Sequence, residues 1–501
     1  MGKVFLVGAG PGHPGLLTLR GRDLLGVCDA VVYDHLIPGE YLSYAIKAQK
    51  YYAGKKGGEK SPSQAGINRL LLRLARQGKQ VVRLKGGDPF IFGRGGEEAL
   101  YLSQHRIPYE VVPGVTAALG AAAFAGIPLT HRGLASQVTF VTAHEDPAKE
   151  TASIDWKFLA QSGGTLVFYM GASRLLKLVK TLINKGLSPK TPAAVIERAT
   201  TACQKVVEGT LGTIAGKAQN AGIGTPALTI VGKVVKLRKP ADWFSSLPLR
   251  GKTIAVTRSR QQAGQLGKEL GRLGARVIDF STIRILPPKS WEAVDKVIGR
   301  LSFFDWIVFA SVNGVEKLME RVLTLRKDAR IFSSAKICAI GPATADKLRE
   351  YSLRADVIPP EYVSESLAAF LSGRENLKGK RILLVRSNIG RNYLREEFLR
   401  KGADVKDVIA YRTEPVKGSS KEFVRDLKAK RIDQVTFTSS STVKNFAAAI
   451  GKKAFSKIKN KTKWISIGPV TSRAARSLGL KIHRQAREYT IPGLIEAVCR
   501  S

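Results

Sequence analysis

The sequence predicts an α/β chain built as two consecutive two-lobed units, and three observations carry that expectation. Short apolar runs rich in β-branched residues alternate with helical-period segments along the whole length. The alternation stops once, over Lys239–Pro248, and restarts at Thr253. The second half then repeats its own strand–turn–helix signatures. At 501 residues the chain is too long for one hydrophobic core.

The first strands are Val4-Phe5-Leu6-Val7, Ala30-Val31-Val32-Tyr33 and Gln80-Val81-Val82-Arg83-Leu84, closing on Gly8, Asp34 and Lys85-Gly86. Between them run Leu16–Leu25 and Ile67–Leu74 at helical spacing. Such alternation predicts a mostly parallel sheet with helices on both faces and ligands at the carboxyl ends of its strands. A second lobe starts near Pro113-Gly114 and holds Val138–Thr142, Thr165–Met170, Ala193–Ile196 and Ala227–Gly232. The first unit therefore spans 1–240, with lobes of about 1–112 and 113–240. Residues 241–250 read as a linker, in which Trp243 and Phe244 are expected to pack.

The second unit occupies 251–501 and contains an internal echo. Trp306–Val315 resembles Gln434–Val443, and Cys338–Ala345 resembles Trp464–Ser472. Each pair runs from a strand through a hydroxyl-bearing or Gly-Pro turn into a helix. Two related α/β lobes with a cleft lined by those turns account for the repeat.

Composition narrows the class. Apolar residues at 44% and charged residues at 24% exclude wholesale disorder. No apolar run approaches about 18 residues, so no membrane helix is expected. The opening segment lacks the long apolar region of a signal peptide. Cys28, Cys203, Cys338 and Cys499 are widely separated, which argues against a zinc ribbon and for a reducing, cytoplasmic setting. The abnormal feature is charge: 81 Lys+Arg against 40 Asp+Glu gives +41, spread through both halves. Nucleic acid, a small polyanionic substrate and a generally basic composition all fit that number, and charge alone does not choose.

The loop Gly8-Ala9-Gly10-Pro11-Gly12-His13-Pro14-Gly15 satisfies G-x-G-x-x-G through Gly10, Gly12 and Gly15. A dinucleotide fingerprint is nevertheless rejected. Pro11 and Pro14 remove two amide donors that a pyrophosphate would need. What remains is a stiff turn that admits a ligand close to the backbone. Leu84-Lys85-Gly86-Gly87-Asp88-Pro89-Phe90-Ile91-Phe92-Gly93-Arg94-Gly95-Gly96-Glu97-Glu98 follows another strand end. There Asp88 is placed to accept ribose hydroxyls and Arg94 to clamp a carboxylate. Val112-Pro113-Gly114-Val115-Thr116-Ala117-Ala118 and Gly126-Ile127-Pro128-Leu129-Thr130-His131-Arg132 come next.

With Tyr33-Asp34, Gly54-Lys55-Lys56, Phe168–Gly171 and Thr225-Pro226-Ala227 in the same order, residues 2–245 resemble the tetrapyrrole methylases, specifically the uroporphyrinogen-III C-methyltransferases. The resemblance implies S-adenosylmethionine (SAM) held between two α/β lobes, and no metal. By motif position its contacts are Pro11, Gly86, Gly87, Asp88, Ile91, Thr116, Ala117, Met170, Ala199 and Ala227. Asp34 is implied as base and Lys55 as proton donor, with Arg94 and Glu97 on the substrate. His13 stands where the family usually has Asp, and Ala199 where Gly is common. Other readings stand beside these: Asp34 suits an N-cap, Lys55 a solvated basic face, Met170 a core, and Arg94–Glu97 a local ion pair.

In the second half, Thr253–Arg258, Gly341–Thr344, Ile382–Ser387 and Val408–Thr413 resemble uroporphyrinogen-III synthase. That resemblance implies one lobe from about 251–285 plus 414–501, another from 286–413, and a short β link. It implies the linear tetrapyrrole hydroxymethylbilane as substrate. Tyr411 is the candidate acid, with cross-strand packing as its other reading. Ser311, Asn313, Thr344, Thr438, Ser439 and Thr471 are candidate carboxylate binders, with helix capping as theirs.

The two resemblances together expect a bifunctional cytoplasmic enzyme on the sirohaem and cobalamin branch, homodimeric through the methyltransferase half. Both implied ligands are octa-anions, so the +41 excess acquires a use in steering them. RNA methylation by the same fold, with an inactive second half, is the alternative. A nucleic-acid partner is not expected: aromatics are 7% and lie mostly on strands, so stacking platforms are lacking.

Overall fold

Five strands make the first sheet: β1 (Lys3–Gly8), β2 (Ala30–Tyr33), β3 (Gln49–Tyr52), β4 (Gln80–Lys85) and β5 (Tyr109–Val112). Their order is β3-β2-β4-β1-β5, and every pairing is parallel. Val4 and Leu6 enter one core with Ile67, Leu71 and Leu74 of the helix Gln64–Arg76. Phe5 and Val7 enter another with Leu24, Leu25 and Tyr41. Alternate residues of one strand thus serve two cores, as a sheet covered on both faces requires.

The computed structural model describes residues 2–54, 63–143, 154–257, 260–280, 283–390, 392–415, 420–429, 431–458 and 462–501. They form two compact units, Met1–Lys252 with Leu270–Arg276 and Thr253–Glu269 with Val277–Ser501.

The second sheet of the first unit holds β6 (Val138–Thr142), β7 (Thr165–Tyr169), β8 (Pro192–Glu197), β9 (Lys205–Thr210) and β10 (Ala227–Val231), ordered β6-β7-β10-β8-β9. Here the expected parallel pattern gives way to a mixed sheet. Only β6 and β7 are parallel; β10 runs against both neighbours and β8 against β9. The cause is local. Glu197 and Lys205 are separated by a loop too short for a crossover, so the chain can only turn back.

Residues 241–250 pack onto the first unit. Phe244 is buried with its ring 4.9 Å from Phe124, and the Trp243 indole N–H donates to the Ala123 carbonyl at 2.9 Å. Arg250 donates to the Gln204 carbonyl at 3.1 Å.

In the second unit one sheet is β12-β11-β18-β19-β20, from β11 (Thr253–Val256), β12 (Arg276–Asp279), β18 (Gln434–Phe437), β19 (Lys463–Ser466) and β20 (Ile482–Gln485). The other is β13-β17-β16-β14-β15, from β13 (Ile283–Leu286), β14 (Trp306–Phe309), β15 (Lys336–Ala339), β16 (Arg381–Ser387) and β17 (Asp404–Pro415). The first lobe draws on both ends of the segment: β11 pairs with β18, Ile254 opposite Gln434. Between the lobes, β13 and the end of β17 form an antiparallel ribbon, Ile283 opposite Pro415 and Leu286 opposite Arg412.

The echoed motifs adopt matching local structure. Ser311 and Ser439 each cap a helix, with φ −171° and −166°. Gly341 and Gly468 each precede a Pro-initiated helix in extended backbone, with ψ 175° and 177°.

Candidate active sites

The carboxyl ends of β1, β2, β4 and β5 deliver the loops that carry the motif residues. Gly10 and Gly87 exchange both backbone hydrogen bonds, at 3.1 and 2.8 Å, so the first loop is zipped to the Gly86-Gly87-Asp88 turn. The loop's own partner therefore engages an amide that a pyrophosphate would have wanted. Asp88 Oδ2 accepts from the Gly114 amide at 3.0 Å and Oδ1 from the Phe90 amide at 2.8 Å. One carboxylate thus fixes two loops.

Glycine is obligatory where these loops cross. A Cβ on Gly114 would lie 2.3 Å from the Gly87 carbonyl oxygen, and one on Gly8 2.5 Å from the Gly114 nitrogen. The second lobe reaches the same place. A Cβ on Gly120, in the helix Ala117–Ala125, would stand 2.4 Å from Pro11 Cγ. That helix begins on Tyr169 at the end of β7. Its phenolic oxygen accepts from the Ala118 amide at 3.0 Å and is hydrogen-bonded to Thr116 Oγ1 at 2.7 Å. Burial pushes the Tyr169 phenol above its ordinary range.

Beside this knot lies apolar surface. Met170 (φ 56°) is 50% exposed and Ile91 38% exposed, and the Phe92 ring sits 4.8 Å from that of Tyr169. Ala227 pairs with Glu197, and Leu228 with Tyr169, which sets Ala227, Ala199 and Met170 at one end of the second sheet. Glycine-opened backbone beside exposed aliphatic and thioether side chains suits a ligand that brings both polar and apolar parts against the loops.

The two departures from the family pattern have local explanations. His13 Nδ1 accepts from the Gly15 amide at 3.1 Å, capping the turn as a carboxylate would. Burial holds its imidazole below the ordinary range, which favours the neutral acceptor. Around Ala199 the positive φ values fall on Arg198 and Thr200, at 46° and 67°, so position 199 itself does not call for glycine.

Asp34 follows β2. Its Oδ1 accepts from the Leu36 amide at 3.0 Å, and its Oδ2 lies 3.7 Å from Arg83 Nη2. Lys55 and the rest of 55–62 lie outside the described residues. Arg94 and Glu97 are ion-paired at 2.7 Å with both side chains more than half exposed. The pairing lowers the Glu97 carboxyl.

Sequence reasoning missed the buried charges behind Asp34. Arg83 Nε donates to Glu98 Oε1 at 3.1 Å, and Lys85 Nζ lies 3.0 Å from both Glu98 oxygens. Glu98 has no exposure at all; Arg83 and Lys85 are each 4% exposed. Burial, then the Arg83 charge, lowers Lys85. The available signal was two cations inside an otherwise apolar strand.

In the second unit the Tyr411 hydroxyl is 2.9 Å from Ser311 Oγ, which also accepts from the Gly314 amide at 3.1 Å. Ser439 Oγ accepts from the Thr442 amide at 3.2 Å and lies 2.9 Å from Ser441 Oγ. Asn313, Thr344 and Thr471 are buried, while Ser311, Thr438 and Ser439 are half-buried at their turns. Among the described residues no cluster of His, Cys, Asp or Glu could hold a metal ion.

Two α/β lobes knotted through glycine loops, followed in one chain by two doubly wound lobes, define a fusion of two small-molecule α/β enzymes. The comparisons identify the halves. Residues 3–215 match the tetrapyrrole (corrin/porphyrin) methylases and residues 264–496 match uroporphyrinogen-III synthase HemD. Porphyrin biosynthesis protein HemD of Ruminiclostridium josui is 34% identical across 99% of this chain and 97% of its own. The S-adenosyl-L-methionine-dependent uroporphyrinogen III methyltransferase of Methanosarcina barkeri is 50% identical over 47% of this chain and 93% of its own. A solved uroporphyrin-III C-methyl transferase from Thermus thermophilus, complexed with S-adenyl homocysteine, is 43% identical over 47% of this chain and 99% of its own, with TM-score 0.41. The chain belongs to the tetrapyrrole methylase family through its first half and to the uroporphyrinogen-III synthase family through its second.

Proposed function

We propose that the second unit closes hydroxymethylbilane to uroporphyrinogen III, and that the first unit methylates that product at C2 and C7 with SAM to give precorrin-2, the branch toward sirohaem and cobalamin. The observation that carries the methyltransferase reading is the loop knot. Gly10 bonded to Gly87, Asp88 to Gly114, and Pro11 packed on Gly120 gather the family's motif residues from both lobes around one glycine-lined place.

SAM, when bound, supplies a methyl group on a positively charged sulfur that is its own leaving group. The chain's residues position the partners. Backbone at Gly86, Gly87 and Ala227, with the side chains of Ile91 and Met170, holds the donor, and Pro11, Asp88, Thr116, Ala117 and Ala199 shape the wall. Arg94 and Glu97 reach the substrate's carboxylates and pyrrole N–H groups. Asp34 takes up, on a carboxylate oxygen, the ring-bridge proton that leaves after a pyrrole carbon is alkylated. Lys55 is the donor in the same scheme.

In the second unit the substrate sheds hydroxide readily, so folding it and holding its acids is most of the task. Tyr411 is the acid for the departing oxygen, and Ser311, Thr438 and Ser439 offer hydroxyls at helix starts. Asn313, Thr344 and Thr471 complete those turns from within. A homodimer through the first unit and a cytoplasmic setting, supported by four unpaired cysteines, complete the reading.

Purified chain given hydroxymethylbilane tests it. Uroporphyrinogen III without SAM and a dimethylated product with SAM are expected. Accumulation of only uroporphyrinogen I in both cases overturns the synthase assignment; absence of a methylated product from supplied uroporphyrinogen III overturns the other.

A further inference from the structure

The base assigned above stands in front of a charge cluster that the reaction as described does not use. Glu98, on the helix Gly95–Gln104, is fully buried and accepts from Arg83 Nε at 3.1 Å, from Lys85 Nζ at 3.0 Å on each oxygen, and from Gln64 Nε2 at 3.1 Å. Arg83 is held on its far side too, with Nη1 at 3.2 Å from the Leu84 carbonyl and 3.4 Å from that of Val32. Those acceptors leave Nη2 directed at Asp34, 3.7 Å from Oδ2. Two carboxylates, Asp34 and Glu98, thus share two basic partners, Arg83 and Lys85.

We propose that Glu98 is a positioning residue for methyl transfer: through Arg83 it fixes the carboxylate of Asp34 and sets the charge facing it. The inference rests on the base role of Asp34. A buried ionised carboxylate with two cationic partners is costly to assemble and, as a mere core filler, gains nothing over apolar residues of the same volume. Its position explains its presence. An Arg83 released from Glu98 could close the 3.7 Å gap and hydrogen-bond Asp34 directly, favouring its charged form. Sharing the guanidinium with Glu98 weakens that hold while keeping the side chain in place.

Among the described residues, the charged and titratable groups around Asp34 are Arg83 and Lys85 of β4, Glu98 of the helix Gly95–Gln104, the flanking Tyr33 and His35, and Tyr52 of β3, whose ring lies 5.5 Å from that of Tyr33. Glu98 therefore acts on Asp34 mainly through the arginine they share, and the two substitutions below have opposite signs.

The test uses the full chain, uroporphyrinogen III and SAM, and reads the acid limb of the kcat/KM–pH profile, with adenosylhomocysteine affinity as the folding control. Arg83→Gln removes the cation and moves the acid limb up by about one pH unit. Glu98→Gln removes the shared anion and moves it down. Arg83→Lys keeps the charge and returns the limb to within a few tenths of a unit. Adenosylhomocysteine affinity stays within about threefold throughout. A common direction of shift for Arg83→Gln and Glu98→Gln, or no shift in either, overturns the proposal. Should Glu98→Gln not fold, Glu98→Asp replaces it: the shorter acid withdraws from Arg83 Nε, the limb again moves down, and an unmoved limb overturns the proposal. Asp34→Asn separates the two levels. If it keeps the wild-type limb, the base reading fails; if it abolishes the limb while the others leave it unmoved, only the positioning role fails.

Discussion

Ser311 and Tyr411 share a hydrogen bond 2.9 Å long across 100 residues of chain, and the same serine caps the helix Val312–Thr324. Capping and phenol placement therefore rest on one hydroxyl, and two substitutions separate them. Tyr411→Phe keeps the cap and is expected to change the urea midpoint little, while uroporphyrinogen III formation slows at least tenfold. Ser311→Ala loses the cap and costs about 1 kcal/mol of stability as well. Equal ring-closure rates in wild type and Tyr411→Phe would remove the tyrosine from the reaction.

Tyr169→Phe deletes the acceptor for the Ala118 amide and the partner of Thr116, both buried. An unpaired buried N–H costs about 1–3 kcal/mol. Chemical denaturation should show that loss, and calorimetric titration with adenosylhomocysteine a matching fall in affinity, because Thr116 and Ala117 line the proposed cofactor place.

Gly114→Ala tests the loop knot. The added methyl would stand 2.3 Å from a backbone oxygen, so the Gly87 turn must move. A destabilisation of about 1–3 kcal/mol is expected, with cofactor affinity falling more than tenfold. Gly216→Ala, inside the helix Leu211–Asn220 with nothing within 4 Å, is the control: it should gain about 0.5–1 kcal/mol of stability and leave cofactor affinity unchanged.

The first sheet carries a pH-dependent edge. Hydrogen bonds from Arg20, then Lys3, hold the Glu110 carboxyl down at about 2. A depressed acid stabilises the fold above its ordinary value of 4.5 and loses that contribution as the pH falls toward 2. The site is partly open to solvent, so the effect is at most about 1 kcal/mol. Melting curves of wild type and Glu110→Gln should differ at pH 7, converge between pH 4.5 and 2, and converge in 1 M salt. A gap that persists at pH 2 would show a packing effect instead.

Thiol reactivity should divide sharply. Burial pushes the Cys338 thiol up to about 12 and Cys28 up to about 11, while Cys203 is exposed. Iodoacetamide at pH 8 followed by peptide mass analysis should find Cys203 modified and the other two intact.

Much of this architecture was legible in residue pattern. The apolar runs that begin at Val4, Ala30 and Gln80 become β1, β2 and β4, because parallel strands covered on both faces need such runs. The echo in the second half surfaced as two pairs of similarly capped helices. What pattern could not show was strand direction: β8 and β10 look like any buried strand, and only the short return after Glu197 makes the sheet mixed. It read 241–250 as a linker whose Trp243 and Phe244 pack, and Phe244 is buried against Phe124. In the sites, glycines and Asp88 stood out by type and spacing. Glu98 did not, because it sits beside the exposed Glu97 and only folding brings it to Arg83 and Lys85.

The pairing of β11 with β18 bears on how this protein is made. Thr253 donates to Asp433, 180 residues further along, and Thr257 donates to the Thr436 carbonyl. A ribosome emitting the chain from its amino end exposes β11 and its neighbour β12 long before the neighbour on the other side, β18, exists. The intervening lobe can close first, and the strand must wait with that edge unsatisfied until residues 434–437 emerge. Truncation just before residue 434 should therefore leave that edge of β11 open and adhesive.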